Sequence, residues 1–207
     1  MKVPQFMPYV DMEDYKALKE SFEMNWITEG PKSKEFDKKL REKTNTSFGS
    51  FAPNGTLALY LALRAAGIGK GDEVIVPNFT FIATANAVEM TGAKPVFADI
   101  DIKTFQLDPN ACHSLISSRT KAIMPAHLYG FCANMDEIKR FARSYSLLVI
   151  EDAAQALGIE WDGKPCGSFG DIACFSFFAD KTITTAEGGF VTTNNEKYAE
   201  QLLYLRN

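Results

Sequence analysis

The sequence predicts an α/β protein of three layers, α/β/α, built around a mostly parallel, mixed sheet of seven strands. Three observations carry that expectation. From residue 47 onward, short apolar runs alternate with helical stretches, the rhythm of strand, crossover and strand. The runs are apolar at successive positions, as in 74–76 (VIV) and 147–150 (LLVI), and strands of that kind are buried on both faces. With 207 residues and 46% hydrophobic composition, the chain has enough apolar surface to fill such a core.

Residues 1–45 read as an amino-terminal helical arm and residues 46–207 as the large domain. Within the arm, 11–25 and 33–44 carry apolar residues at helical spacing (Tyr15, Leu18, Phe22; Phe36, Leu40) among charges, so both are expected as amphipathic helices. A turn at 26–31 separates them. The arm either packs on its own surface or crosses to a partner subunit. In the large domain a strand at 48–52 leads to a helix at 56–66, and a strand at 73–76 to a helix at 80–90. Strands at 95–98 and 121–126 follow, then a helix at 135–145 and a strand at 147–151. The remaining strands are 171–178 and 189–193, and a charged helix starts near 196. Segments 67–72 (GIGKGD) and 161–167 (WDGKPCG) are turn-rich loops. Parallel strands joined by right-handed crossovers gather ligands beyond their carboxyl ends, where loops enter helix N-termini.

Composition excludes several classes. A net charge of -4 with acids and lysines interspersed leaves no basic stripe for a phosphodiester backbone, so nucleic acid is not an expected partner. No apolar run is long enough to span a bilayer, and the first ten residues lack the apolar core of a signal peptide, so no membrane is expected and the cytoplasm is the expected compartment. The four cysteines, at 112, 132, 166 and 174, include no C-x-x-C pair and have only two histidines to join them. Buried free thiols are expected, with no metal site and no disulfide framework.

The chemistry is expected at residues 176–189, SFFADKTITTAEGG, where one lysine separates two buried strands. Beside apolar groups the amine of Lys181 loses its proton more readily, which suits a nucleophile toward an aldehyde cofactor. An exposed turn lysine is the alternative. Asn54-Gly55-Thr56 follows a strand and opens a nearly uncharged helix: free backbone N–H groups, the close approach Gly55 permits and the Thr56 hydroxyl suit a phosphate. An ordinary helix cap is the alternative there. Strand 147–151 runs into Asp152, a carboxylate that needs a cation, and a protonated pyridine nitrogen is one. Helix capping and metal ligation stay open for it. Gln155, one helical turn on, shares its face. Phe81 lies beyond a strand's carboxyl end, where a flat ring can stack, although most of the 16 phenylalanines belong to the core. Ser176 offers a hydroxyl to the same phosphate, or to nearby backbone. Phosphate cradle, stacking ring, carboxylate and lysine together match every functional group of pyridoxal 5'-phosphate.

At this point the chain resembles a known family. NGTLALYLALRAAGIGKGDEVIVPNFTFIATANAV, KPVFADID, HLYG, VIEDAAQALG and GSFGDIACFSFFADKTITTAEGGFVTTN are similar to the DegT/StrS nucleotide-sugar aminotransferases of fold type I, and FFADKTITTAEGG is most similar to their GDP-perosamine synthase-like branch. The likeness runs from about residue 8 to 207. It implies the large domain of fold type I pyridoxal-phosphate transferases, with Lys181 as the Schiff-base lysine and proton relay. Asp152 would pair the ring nitrogen, Gln155 neighbour the ring hydroxyl, and Phe81 stack on the ring. Gly55, Thr56 and Ser176 would hold the phosphate. The implied reaction takes an amino group from glutamate to a keto sugar on a nucleotide diphosphate, in surface polysaccharide or O-antigen sugar biosynthesis, by a homodimer with a shared active site.

The resemblance also has departures. Asp180 stands where relatives often carry asparagine, and Ala186 where glycine is frequent. Dehydratase relatives carry histidine at the Lys181 position, which disfavours that activity here. Family members continue into a smaller carboxyl-terminal domain that is missing from this sequence. The chain is therefore expected to be the cofactor-binding domain of a truncated or split enzyme, with a non-catalytic remnant as the alternative.

Overall fold

A computed structural model of the chain describes residues 3–4, 6–26 and 28–207. Its elements in order are α1 (Met12–Glu23), α2 (Pro31–Thr44), β1 (Phe48–Ala52), α3 (Gly55–Ala65), β2 (Glu73–Pro77), α4 (Ala83–Met90), β3 (Lys94–Ala98), a single turn α5 (Pro109–Cys112), β4 (Thr120–Ile123), α6 (Met135–Ser144), β5 (Leu148–Asp152), β6 (Glu160–Trp161), β7 (Lys164–Pro165), β8 (Ile172–Ser176), β9 (Gly189–Thr193) and α7 (Glu196–Arg206). The expected turn at 26–31 includes residue 27, which lies outside the described residues. Among those residues no helix is long and apolar enough to cross a membrane.

The seven-stranded sheet has the order β1-β9-β8-β5-β4-β2-β3. Pairings β2 with β3, β2 with β4, β4 with β5 and β5 with β8 are parallel, whereas β9 runs antiparallel to both its neighbours. Six strands therefore point one way and only β9 opposes them. Each apolar run feeds two cores at once. Val74, Val76, Ile150, Ile172 and Val191 face a cluster with Leu59 and Leu63 of α3, Val88 of α4 and Leu202 of α7. Ile75, Ile123, Val149, Phe175 and Phe190 face the opposite cluster with Leu40 of α2 and Ile138 and Phe141 of α6. This two-sided burial is why the strands lack polar alternation, and it yields the expected three layers.

The two arm helices differ. In α2, Leu40 enters the core, and Phe36 lies 5.7 Å from Phe51 and 5.2 Å from Phe177 between ring centroids. In α1 no residue is buried: Tyr15, Leu18 and Phe22 form an exposed apolar face on a helix held by an Asp11–Asp14 capping box. Segment 161–167, expected as a turn-rich loop, overlaps the β6–β7 hairpin, Glu160 opposite Pro165 and Trp161 opposite Lys164. Asp162 (φ 48°) and Gly163 (φ 71°) turn it, both left-handed, as an Asp-Gly two-residue hairpin requires. Ala186 also sits at positive φ, 67°, which explains why glycine suits that position.

Candidate active site

The common strand direction brings the carboxyl ends of β1, β2, β5 and β8 to one edge of the sheet, and β9 begins there, with Gly189 paired to Ser176 and Ala52. At this edge lies a cavity of about 340 Å³. Gly55, Thr56, Phe81, Asp152, Gln155, Ser176 and Lys181 all line it. Residues up to 126 positions apart in sequence thus share one wall, Gly55 at one end of the run and Lys181 at the other.

At one end of the cavity α3 opens. Asn54 caps it, accepting the Leu57 N–H at 2.9 Å, while Ala58 N–H begins the intrahelical ladder onto the Asn54 carbonyl. The cap alternative is thus realised by Asn54. The first two N–H groups, of Gly55 and Thr56, precede that ladder and are left for a ligand. A Cβ at Gly55 would stand 2.8 Å from Ser176 Cβ and 3.1 Å from its Oγ, so the cradle closes only around a glycine. Ser176 Oγ accepts the Phe178 N–H at 3.4 Å, a long bond that leaves its own proton available. Gly55→Ala is expected to weaken pyridoxal-phosphate binding by about tenfold, because the cradle must spread. Titration followed by absorbance checks this. Ser176→Gly in the same chain removes the clashing Cβ and should recover part of the loss.

At the end of β5, Asp152 is buried. Thr84 Oγ donates to its Oδ2 at 2.7 Å and the Ala154 N–H to Oδ1 at 3.2 Å. Thr80 Oγ lies 2.9 Å from Thr84 Oγ; with the Thr84 proton on Asp152, Thr80 donates to Thr84. Burial nevertheless pushes the Asp152 carboxyl above its ordinary value of 3.8, and the Thr84 and Ala154 donors oppose this only in part. Ionised Asp152 therefore costs stability as pH rises past 3.8, and a cation placed at this carboxylate would relieve that cost. Among the described residues none of the ion pairs involves it.

Its neighbour Glu151 has no exposed surface, and four N–H groups satisfy it. Oε1 accepts from Phe169 at 2.8 Å and Gly170 at 2.6 Å; Oε2 accepts from Gly167 at 2.8 Å and His127 Nε2 at 2.9 Å. The Ala133 N–H donates to His127 Nδ1 at 3.1 Å, so that nitrogen carries no proton and Nε2–H is the donor to Glu151. Burial alone would raise Glu151, yet the His127 and backbone donors hold it below the ordinary glutamate value. His127 itself reaches the cavity floor.

Lys181 stands on the loop after β8, its N–H bonded to the Phe178 carbonyl at 3.0 Å. Its side chain is 15% exposed and Nζ lies 3.3 Å from Asp180 Oδ1, so it is an inward-facing lysine and not the exposed turn residue of the alternative. Phe81, 66% exposed, forms the open side of the cavity and is not a core phenylalanine. Gln155 Oε1 accepts the Tyr129 N–H at 3.3 Å. The helical step expected between Asp152 and Gln155 is instead a tight turn, with Ala156 N–H on the Ala153 carbonyl at 2.9 Å, and both side chains still reach the cavity.

Thr80, Thr84, His127 and Glu187 line or brace the site and were not expected there. The i, i+4 spacing of Thr80 and Thr84 was the available signal for that pair. All four cysteines are buried and free. Although they are scattered in sequence, the fold brings Cys132, Cys166 and His127 to within 4.8 Å of one another. Both ring nitrogens of that histidine are already engaged, by Ala133 and Glu151.

A profile of the DegT/DnrJ/EryC1/StrS aminotransferase family matches residues 8–207. The chain belongs to that family. Among its relatives, GDP-perosamine synthase of Caulobacter vibrioides is 48% identical over 96% of this chain and 54% of its own length. The aminotransferase from Psychrobacter cryohalolentis superposes with a TM-score of 0.92 at 37% identity, over 96% of this chain and 51% of its own. A putative sugar aminotransferase from Streptococcus pneumoniae, Spr1654 in its PLP form, gives 0.92 at 31% identity, over 99% and 58%. The chain spans about half the length of the curated relatives it matches.

Proposed function

We propose that residues 46–207 are the cofactor-binding domain of a pyridoxal-phosphate-dependent aminotransferase that passes an amino group from glutamate to a keto sugar carried on a nucleotide diphosphate. The observation that carries this reading is Asp152: a buried carboxylate, raised by burial and without an ion-pair partner among the described residues, in one cavity with a primary amine and an open helix N-terminus. The donor set fits the cofactor. Bound there, pyridoxal phosphate supplies an aldehyde within reach of an amine and an electron-withdrawing ring that stabilises negative charge on the substrate carbon.

The chain's own residues do the rest. The Gly55 and Thr56 N–H groups, the Thr56 hydroxyl and Ser176 Oγ anchor an anionic tail without a lysine or arginine. Asp152 would hold a proton on a ring nitrogen by its negative charge, and Thr84 fixes that carboxylate. Gln155 orients polar groups at the ring edge, and Phe81 covers one side. Lys181 Nζ would accept and return a proton at the substrate carbon, with the Asp180 carboxylate 3.3 Å away to pair with its ammonium form. The exposed apolar face of α1 supports an amino-terminal arm, residues 1–45, that is anchored by α2 on its own core and reaches a partner in a homodimer through α1. The biosynthesis of surface polysaccharide or O-antigen sugars in the cytoplasm is the setting that fits such a substrate.

Two measurements test the reading. After incubation with pyridoxal phosphate and reduction by borohydride, peptide mass spectrometry should find the pyridoxyl group on Lys181. With glutamate and a panel of nucleotide-linked keto sugars, 2-oxoglutarate and an amino sugar should form together. Labelling spread over surface lysines, with none at 181, would sink the proposal.

A further inference from the structure

We infer that the aromatic ledge of Phe79 and Tyr129 beside the cofactor cavity, with Phe105 packed behind Phe79, is the binding surface for the hexose ring of the substrate, with the nucleotide held elsewhere. This rests on the cofactor reading above. A second cavity of about 520 Å³ meets the first at Lys181, and Phe79, Tyr129, Gln155 and Asp180 are among its walls. A carbon that exchanges an amine near Lys181 must carry the rest of its molecule into this second space, because the phosphate cradle closes the first.

Phe79 and Tyr129 line this space with rings tilted 44° to each other, an angled corner of two aromatic faces. Phe79 lies 5.6 Å from Phe105 and 6.3 Å from Tyr129 between ring centroids. The three rings are 40%, 43% and 66% exposed, a cost to the isolated chain that a ligand covering them would remove. Phe105 and Tyr129 hold φ of 58° and 55°, a left-handed backbone that aromatic residues rarely adopt, and that strain marks a placement the fold enforces. The faces of aromatic rings are electronegative, and the C–H bonds of a sugar's apolar face are polarised the opposite way. On the wall of the same cavity Asp180 and Gln155 offer oxygen acceptors to sugar hydroxyls.

Charge separates the sugar from its nucleotide. Among the described residues, Lys181 is the only lysine or arginine on either wall. Among the described residues a diphosphate in the second cavity would find no cation beyond the amine needed for chemistry, and Asp180 repels it. The hexose is what this space accepts.

Isothermal titration of the full chain, saturated with pyridoxal phosphate, compares GDP with GDP-mannose and TDP with TDP-glucose. In the unmodified protein the attached hexose should tighten binding about tenfold in at least one pair. Tyr129→Ala should erase that gain while leaving the affinity for the bare nucleotide unchanged, and Tyr129→Phe, which keeps the ring face, should retain it. Cofactor absorbance and sedimentation in the same samples report the state of the protein. No hexose gain in the unmodified chain, a gain that survives Tyr129→Ala, an equal loss for the bare nucleotide, or loss of the cofactor each overturns the inference. The cofactor reading fails separately, by the absence of a pyridoxyl group on Lys181.

Discussion

Replacing Lys181 with alanine is expected to remove the borohydride-fixed pyridoxyl group completely and to lower amino transfer by on the order of 10⁴-fold. The anchors for the cofactor's anionic tail and ring nitrogen, Gly55, Thr56, Ser176 and Asp152, are untouched, so pyridoxal phosphate should still bind, showing the absorbance of the free aldehyde. Lys181→Arg separates charge from nucleophilicity. Its guanidinium keeps a partner for Asp180, whose carboxylate lies 3.3 Å from Nζ, but it cannot give up a proton near neutral pH. If positive charge at this position sufficed, the arginine variant would be active; the covalent role requires it to be as inactive as alanine. Retention of the adduct in either variant would move the chemistry to another amine.

The parts of this site legible in the sequence were those whose chemistry and location coincide. Strand ends can be read from apolar runs, and a parallel sheet delivers those ends to a single edge. Asp152, Ser176, Phe81 and the Gly55-Thr56 helix start each lie just beyond such an end, so one topological rule gathered them before any contact was known. What escaped were partners chosen by strand order. Thr84 is the second residue of α4 and donates to a carboxylate 68 positions away, a partner that its i, i+4 spacing from Thr80 does not reveal. The helix expected from residue 80 starts at Ala83, because Thr84 N–H turns back onto the Phe81 carbonyl at 3.1 Å. The hairpin at 160–165 was different: Asp162-Gly163 is a strong turn signal, and only the shortness of its two-residue strands hid it. Helical periodicity in α1 was real, but periodicity cannot say whether the chain itself supplies a surface to cover the apolar face.

Glu151 escaped in another way: it adjoins Asp152 at the same strand end, so a carboxylate expected to need a cation masked one that needs only N–H groups. Glu151→Gln is expected to lower stability by about 2–6 kcal/mol at pH 7, about 1–3 kcal/mol for each of the two buried N–H groups that lose their acceptor. Oε1 faces the Phe169 and Gly170 donors and Oε2 those of Gly167 and His127. Whichever way the amide turns, its NH2 meets two N–H groups and buries unsatisfied donors. The His127 ring cannot relieve this by exchanging tautomers, because a proton on Nδ1 would then face the Ala133 N–H. With a urea slope of roughly 2 kcal/mol per molar, the unfolding midpoint should fall by roughly 2 M. The sign with pH follows from a folded-state value held below the ordinary 4.5. The carboxylate's contribution is complete above 4.5 and disappears as pH falls through the lower folded value, so the gap between the two proteins should close as acidity increases. A gap that stays constant from neutral pH down to about 3 would mean that the charge of Glu151 does not hold the loop of Gly167 and Gly170 against β5.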